Sequence, residues 1–289
     1  MTTFNALLSR VIRGVAWRLP TRVVRGLPPR WRFRLDEYSN LFEGAWPTVE
    51  AARRAMPRVR PAGYDHVDAA NLYAERLDTI FDYDREALDA LREVRPHVAH
   101  IVDLGGHVGL SYYAFGEALS LGDARVRWTV VDVAAIVEAG ARLAADRGVM
   151  NLAFEQRLHD VDETDVLLAA GSLQYLDDDL GTLLRSMRAL PRHVILNKTP
   201  LTDGEAYVTV QNIGVAYCPY HVRRRADVAS QMQALGYTLV RRWTNAGLSC
   251  VPHDRPEVGV VGYDGAWWRL WSDPNDDRCP RTDNPELQF

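Results

Sequence analysis

The sequence predicts an α/β protein: a seven-stranded, mostly parallel sheet with an antiparallel pair at one edge, preceded by an N-terminal helical cap. Three observations predict it. From residue 99 short apolar, β-rich runs alternate with amphipathic stretches, the pattern of a parallel sheet covered on both faces. The first run ends in a glycine cluster, "DLGGHVG" (103–109), placed as a strand–turn–helix bend. The last two runs have no helix between them and therefore pair antiparallel.

The elements follow in order. Residues 1–35 read as a basic amphipathic arm: Phe4, Leu7, Leu8, Val11, Ile12 and Val15 fall at helical spacing, and Pro20 ends the helix. Such an arm docks on its own domain or a partner subunit, or lies on an anionic membrane surface. "GLPPRWRF" (26–33) reads as an extended connector, because two prolines cannot continue a helix. In the cap, residues 36–98, Pro47 and Thr48 open a helix, and residues 69–92 read as one helix with Leu72, Leu77, Ile80, Phe81, Leu88 and Leu91 as its stripe. Residues 99–264 form the main domain, with strands at 100–104, 127–133, 152–156, 165–171, 193–198, 237–245 and 257–264. Helices are expected near 110–120, 134–147, 177–190 and 224–235, a long loop over 197–222, and an irregular tail over 265–289.

Composition narrows the function classes. The chain has 289 residues, 47% hydrophobic and 25% charged, as in ordinary soluble domains. No apolar run reaches the length of a membrane span, and the N-terminus lacks the apolar core of a secretory signal. Cys218, Cys250 and Cys279 are odd in number and widely spaced, without a CxxC pair or zinc-site spacing, so a cytoplasmic protein without a metal is expected. Eight of the 34 basic residues and none of the 38 acidic ones fall within residues 1–35, which leaves −12 on the remainder. An acidic body argues against nucleic acid as a partner. A homodimer, or contact of the arm with a membrane, stays open.

The glycine cluster carries the chemistry. Gly105, Gly106 and Gly109 leave backbone bare at the end of a buried strand, where a ligand can approach closely. "WTVVDV" ends the second strand at Asp132, 27 residues after Gly105. An acid there accepts hydrogen bonds from both hydroxyls of a ribose, or it caps the helix that begins at Ala134. The spacing is not the G-x-G-x-x-G of a dinucleotide loop, which disfavours a nicotinamide enzyme. Lys198, the only lysine, also lacks the tyrosine four residues upstream that an epimerase would add.

"VDLGGHVG", Asp132 and "VLLAAGSLQYLDD" resemble the corresponding motifs of the class I S-adenosylmethionine-dependent methyltransferases, over residues 99 to about 263. A closer resemblance, through "FEGAW", "GYD", "LQYL", "VTVQN" and "CPYHV", is to a sparsely characterised bacterial family of methyltransferases linked to surface-polysaccharide or specialised-metabolite pathways. The resemblance implies a Rossmann-like fold and S-adenosyl-L-methionine as cofactor. By the same resemblance Asp103, Gly105, Gly106, Gly109 and Ser172 bind the cofactor, Asp132 holds its ribose and Asp160 flanks its adenine. His107 departs from the family's glycine pattern and either narrows the loop or contacts the cofactor's carboxylate.

Methyl transfer is an in-line displacement that needs alignment, exclusion of water and, for a hydroxyl acceptor, removal of a proton. The expected acceptor is a small molecule, a sugar or natural-product intermediate methylated at oxygen, with nitrogen methylation as the nearest alternative. Gln174 and Tyr175, at a strand end, are expected at the methyl pocket. Gln211, Asn212, Tyr217 and Tyr220, in the long loop, are expected at the acceptor, with His221 as first candidate base and Asp203 as a weaker one. A methyltransferase-like scaffold without chemistry is the remaining reading, because fold does not fix function.

Overall fold

The computed structural model describes residues 23–24, 26–37, 40–70, 77–122 and 125–271. The arm helix expected over residues 4–15 lies outside the described residues, as does the tail from residue 272.

The first full element among the described residues is α1 (Pro29–Leu35), where a connector was expected. Pro29 occupies the first turn, the one place where a missing N–H costs nothing, so the prolines start a helix instead of preventing one. Next comes β1 (Leu41–Trp46), a strand inside the segment expected to be a helical cap. Gly44, at φ +75°, forms a bulge that shifts the register between Glu43 and Trp46 and hides the strand's alternation. Helix α2 (Val49–Ala55) begins where Pro47 and Thr48 suggest, with the Thr48 hydroxyl accepting from Ala51 N at 3.2 Å.

The single helix expected over 69–92 is not present among the described residues. A short α3 (Val67–Ala70) is followed, at 77–81, by non-helical chain, a 3-10 turn at Asp82–Asp84, and then α4 (Arg85–Val94). Asp84 precedes α4 without capping it, because its carboxylate is engaged by Lys198.

The main sheet follows expectation. It contains β2 (His100–Leu104), β3 (Arg127–Val131), β4 (Leu152–Glu155), β5 (Val166–Ala170) and β6 (His193–Thr199), joined through α5 (Leu110–Phe115), α6 (Ala134–Asp146) and α7 (Leu180–Ser186). Between β6 and the last strands lie β7 (Leu201–Thr202), β8 (Tyr207–Asn212), β9 (Tyr217–Arg224) and α8 (Arg225–Ala234). The last elements among the described residues are β10 (Tyr237–Cys250) and β11 (Val260–Leu270), so residues 265–270, expected in an irregular tail, are strand.

The strand order is β10-β11-β6-β5-β2-β3-β4, with β11 antiparallel to both neighbours. This is the Rossmann-like, mostly parallel seven-stranded sheet with an antiparallel edge pair. Strand β2 is buried along its whole length, and its alternation feeds two cores. Ile101 packs with Trp128, Leu168 and Leu91 under α4 and α5; Val102 and Leu104 pack with Leu167 and Leu180 on the opposite face. Each such side chain removed from water contributes about 1.5–3 kcal/mol, which is why the apolar runs are strands here.

The long loop expected over 197–222 is instead a second sheet, β1-β8-β9-β7. Pro219 made β9 an unlikely-looking strand in sequence terms, since proline cannot donate to a ladder. Its neighbour β7 reaches only Arg223 and Arg224, so at Pro219 β9 is an edge and the missing N–H is harmless. Alternation then divides β8 and β9: Val208, Val210 and Tyr217 pack against Phe33 and Ala52, while Tyr207, Tyr220 and Val222 pack with Phe42 and Tyr263.

Candidate active site

Strands β2 and β5 are neighbours, and from them the chain order runs outward in opposite directions. At the carboxyl ends of such a pair the connecting loops diverge and open a crevice. A cleft of about 780 Å³ lies there, lined from one side by Gly105 and Ser172 and from the other by the second sheet.

The glycine loop is shaped by contacts beneath it. Gly105 sits at φ +67° with its N–H donated to Val131 O at 2.7 Å, and a Cβ there would stand 2.3 Å from Ser172 Cβ. Ser172 Oγ donates to the Leu104 carbonyl and ties the ends of β2 and β5 together. Asp103 follows the face of Ile101, so it points under α5 and not into the cleft. Burial lifts its carboxyl to about 7, against the pull of the Ser111 hydroxyl and Lys198. Gly106 packs on Asp103, with room for no Cβ, and Gly109, at φ +95°, starts α5. Of the expected loop residues, Gly105 and His107 face the cleft; Asp103, Gly106 and Gly109 support them from below.

Asp132 lines the cleft at the end of β3. Its Oδ2 accepts from His107 N at 2.9 Å and its Oδ1 from Val133 N at 2.7 Å, so each oxygen keeps a lone pair for a further donor. Burial raises this carboxyl to about 6, although both backbone N–H groups favour its ionised form. It does not cap the helix after it, whose N-cap is Val133.

His107 is buried at φ +56°, and its Nε2 donates to the Ala69 carbonyl at 3.0 Å. That carbonyl only accepts, which fixes the tautomer, and burial lowers the imidazole pKa, keeping it neutral. His107, expected to narrow the loop or meet a carboxylate, lines the cleft and also makes this contact with the cap. Residues 62–65 of that segment line the cleft.

Gln174 and Tyr175, expected at the methyl pocket, line the cleft. Gln174 Nε2 donates to Lys198 O at 3.4 Å, and Tyr64 and Tyr175 meet edge to face, ring centres 5.0 Å apart. Of the four residues expected at the acceptor, the alternation of β8 and β9 brings in two. Gln211 and Tyr220 line the cleft; Asn212 and Tyr217, paired with each other in register, face the opposite core. Asn212 is fully buried and donates to Phe33 O and Asp36 O, while Tyr217 donates to Arg34 O at 3.1 Å.

The same alternation removes His221 from the lining. It stands behind the wall with its Nε2 3.3 Å from Asp177 Oδ1, and burial lowers its pKa. Asp203 is also absent from the cleft lining and is paired with Arg225 at 2.9 Å. Asp160 sits on the turn after β4, bonded to Arg157 Nε at 2.9 Å and away from the cleft. Cys218 lies in the cleft wall with its thiol pushed up to about 12 by burial, which makes it inert.

Sequence reasoning missed a charged pair in the cleft. Lys198 Nζ meets Asp84 Oδ1 at 2.8 Å and lies over the Tyr83 ring at 5.1 Å. Lys198 holds φ +52°, a left-handed conformation that costs about 1–3 kcal/mol and persists only where surroundings impose it. Its place as the only lysine, at the carboxyl end of a parallel strand, was the available signal.

No family model and no curated protein matches the chain. Solved structures of similar fold include the 1,6-didemethyltoxoflavin N1-methyltransferase of Burkholderia thailandensis with 1,6-didemethyltoxoflavin and S-adenosylhomocysteine bound. It is 19% identical, covering 71% of this chain and 83% of that chain, at a TM-score of 0.46. An S-adenosylmethionine-dependent methyltransferase of Clostridium acetobutylicum is 10% identical, covering 71% and 98%, at 0.47. The CcbJ methyltransferase of Streptomyces caelestis is 14% identical, covering 69% and 96%, at 0.42.

Proposed function

We propose that the chain is an S-adenosyl-L-methionine-dependent methyltransferase that methylates a small polar acceptor, with oxygen as the leading position. The observation that carries this reading is Asp132, a half-buried carboxylate at the end of β3 with spare lone pairs, facing the cleft beside the bare backbone of Gly105. The residues present fit the cofactor. Asp132 would take the ribose hydroxyls, Gly105 would lie against the nucleoside without a side chain in the way, and Ser172 holds the β2 and β5 ends at fixed spacing. When bound, the cofactor supplies an electrophilic methyl group on a sulfonium.

The chain's own residues then position and deprotonate the acceptor. Gln174 and Tyr175 close one side of the cleft, Gln211 and Tyr220 the other, and the strap at 62–65 limits water. Asp84 replaces His221 as the candidate proton acceptor, because it stands in the cleft and His221 does not. Lys198, bonded to it, orients the carboxylate and offsets charge developing nearby.

Titration calorimetry tests the reading, with S-adenosylmethionine, S-adenosylhomocysteine and, as a control, NAD. Micromolar binding of the first two, abolished in Asp132→Ala, is expected, with no binding of NAD. Failure of both sulfur nucleosides to bind the intact protein overturns it.

A further inference from the structure

Two carboxylates meet at the start of α6. Asp132 Oδ1 accepts from Val133 N at 2.7 Å, and Asp65 Oδ1 accepts from Ala135 N at 2.9 Å. Val133 is the N-cap and Ala135 lies in the first turn, so both N–H groups come from the end of the helix that has no carbonyl of its own to offer them. The partial positive charge of that end favours both acids there. They reach it by unrelated routes. Asp132 follows β3 of the main sheet, whereas Asp65 belongs to the strap that Gly63 ties to Tyr217 of the second sheet.

The pair is a local excess of negative charge. Burial raises the Asp132 carboxyl, and the Asp65 charge beside it adds to that rise. The cations among the described lining residues are Arg53 and Lys198, and each is held elsewhere, by Asp177 and Asp84 respectively, at 2.8 Å. Two adjacent acids without a cation call for hydrogen-bond donors.

Their remaining capacity differs. Both Asp132 oxygens already accept a backbone N–H. Asp65 spends only Oδ1 among the described residues, and its side chain is exposed where it lines the cleft, so its second oxygen is open to a ligand. A molecule with two neighbouring O–H donors matches such a pair, one donor to each carboxylate.

We propose that Asp65 is a second nucleoside-binding carboxylate, accepting one hydroxyl of the ribose and sharing the diol that Asp132 would otherwise take alone. The diol is thereby read from two elements at once, the main domain and the strap, and nucleoside binding draws the strap down. Tyr64, next to Asp65, packs edge to face on Tyr175 at 5.0 Å, so the wall of the acceptor end is set when the nucleoside is in place. Calling the nucleoside that of a methyl donor rests on the methyltransferase reading; the second carboxylate rests on the two bonds to α6 and on the open side chain of Asp65.

Titration calorimetry on the full chain tests it, with S-adenosylhomocysteine, adenosine, 2′-deoxyadenosine and 3′-deoxyadenosine as probes. The titrations are run with EDTA at pH 8, above the value of about 6 to which burial lifts Asp132, so that this acid is ionised. Asp65→Asn is the informative variant, because its amide oxygen still accepts from Ala135 N and keeps the strap tied. Loss of one charge-assisted hydrogen bond should weaken S-adenosylhomocysteine binding about tenfold, with an unchanged melting midpoint showing that the variant folds. The parent should prefer adenosine to both deoxynucleosides; in Asp65→Asn one preference should vanish and the other persist. Hydrogen exchange of the strap should slow on nucleoside addition in the parent and not in the variant. The proposal is overturned if Asp65→Asn binds S-adenosylhomocysteine as the parent does, or if both preferences survive in it, and the methyltransferase reading then stands. It is also overturned if the parent binds either deoxynucleoside as well as adenosine. Should S-adenosylhomocysteine not bind the parent while adenosine does, the methyltransferase reading falls and the deoxynucleosides still decide the role of Asp65. Binding of none of the four overturns both.

Discussion

The imidazole of His107 donates from Nε2 to the carbonyl of Ala69, 3.0 Å away, and so bolts the glycine loop to the cap. Other ties hold the same segment, among them Tyr64 OH donating to Tyr175 OH at 3.4 Å. Gly63 N donates to Tyr217 O at 2.9 Å, and Asp65 Oδ1 accepts from Ala135 N at 2.9 Å. Segment 62–69 therefore crosses from the second sheet to the glycine loop, and its first residues form part of the cleft. Because the His107 backbone N–H also holds Asp132, the strap and the carboxylate proposed to take the ribose meet at one residue.

Replacing His107 with glycine separates the two roles. The backbone bond to Asp132 survives and the left-handed conformation becomes unstrained, a gain of about 1 kcal/mol against a lost side-chain hydrogen bond of about 1–3 kcal/mol. Global stability should change little, while the strap loosens. Hydrogen exchange should show the amides of 63–69 at least several-fold less protected, with weaker S-adenosylhomocysteine binding. Unchanged protection there would show that the other ties suffice.

Asp132 predicts a pH dependence. Burial holds its carboxyl at about 6, so in the free protein it is mostly protonated at pH 5 and mostly ionised at pH 7. Ribose hydroxyls donate to the ionised form, so affinity for S-adenosylhomocysteine should rise about tenfold over that interval. The stability linkage runs the other way. A carboxyl whose folded pKa lies above its unfolded value stabilises the fold most at low pH, and that contribution is lost as pH rises through about 6. Asp103, lifted to about 7, acts in the same direction. Calorimetry at both pH values checks the affinity, and Asp132→Asn should bind weakly with a flat profile.

The parallel sheet was legible because its strands are buried on both faces, and continuous apolar runs such as "HIVDL" and "VLLAA" have few other uses. The second sheet was not, because two of its four strands carry a local contradiction. Gly44 breaks the alternation of β1, and Pro219 interrupts β9 where only an edge makes it tolerable. Misreading β8 and β9 as loop then cost the site. In a loop Gln211, Asn212, Tyr217, Tyr220 and His221 are equally available, whereas in strands alternation admits Gln211 and Tyr220 and excludes the other three. The glycine loop and Asp132 were readable since they lie at strand ends. Asp84 and Lys198 are 114 residues apart, and nothing local announces their contact.

Gly106 and Gly148 offer a contrast between sterics and backbone conformation. A Cβ on Gly106 would stand 2.5 Å from Asp103 Cγ, and that side chain is fully buried and cannot swing aside. Gly106→Ala should therefore cost about 1–3 kcal/mol in urea unfolding, with the glycine loop displaced and nucleoside binding lost. Gly148 sits at φ +65° with nothing within 4 Å of a built Cβ, so Gly148→Ala should cost only the left-handed penalty of about 1 kcal/mol and leave binding intact. Equal effects on binding would remove the special role of the Asp103–Gly106 contact.

Asn212 and Gln211 are adjacent in sequence and should respond to substitution in opposite ways. Asn212 satisfies four partners: it donates to Phe33 O at 2.7 Å and Asp36 O at 2.9 Å, and accepts from Arg60 Nη1 at 2.8 Å and Gly214 N at 2.7 Å. Asn212→Ala leaves these groups without their partner in a buried site and should cost about 3 kcal/mol, with ligand binding preserved in the folded fraction. Gln211 carries an oxygen that the protein does not satisfy. Removing it in Gln211→Leu takes away a desolvated acceptor and should leave stability unchanged or slightly raised. Parallel urea denaturation of the two variants decides the assignment. A large loss of stability in Gln211→Leu would make Gln211 part of the scaffold, and a neutral Asn212→Ala would return Asn212 to the candidates for ligand contact.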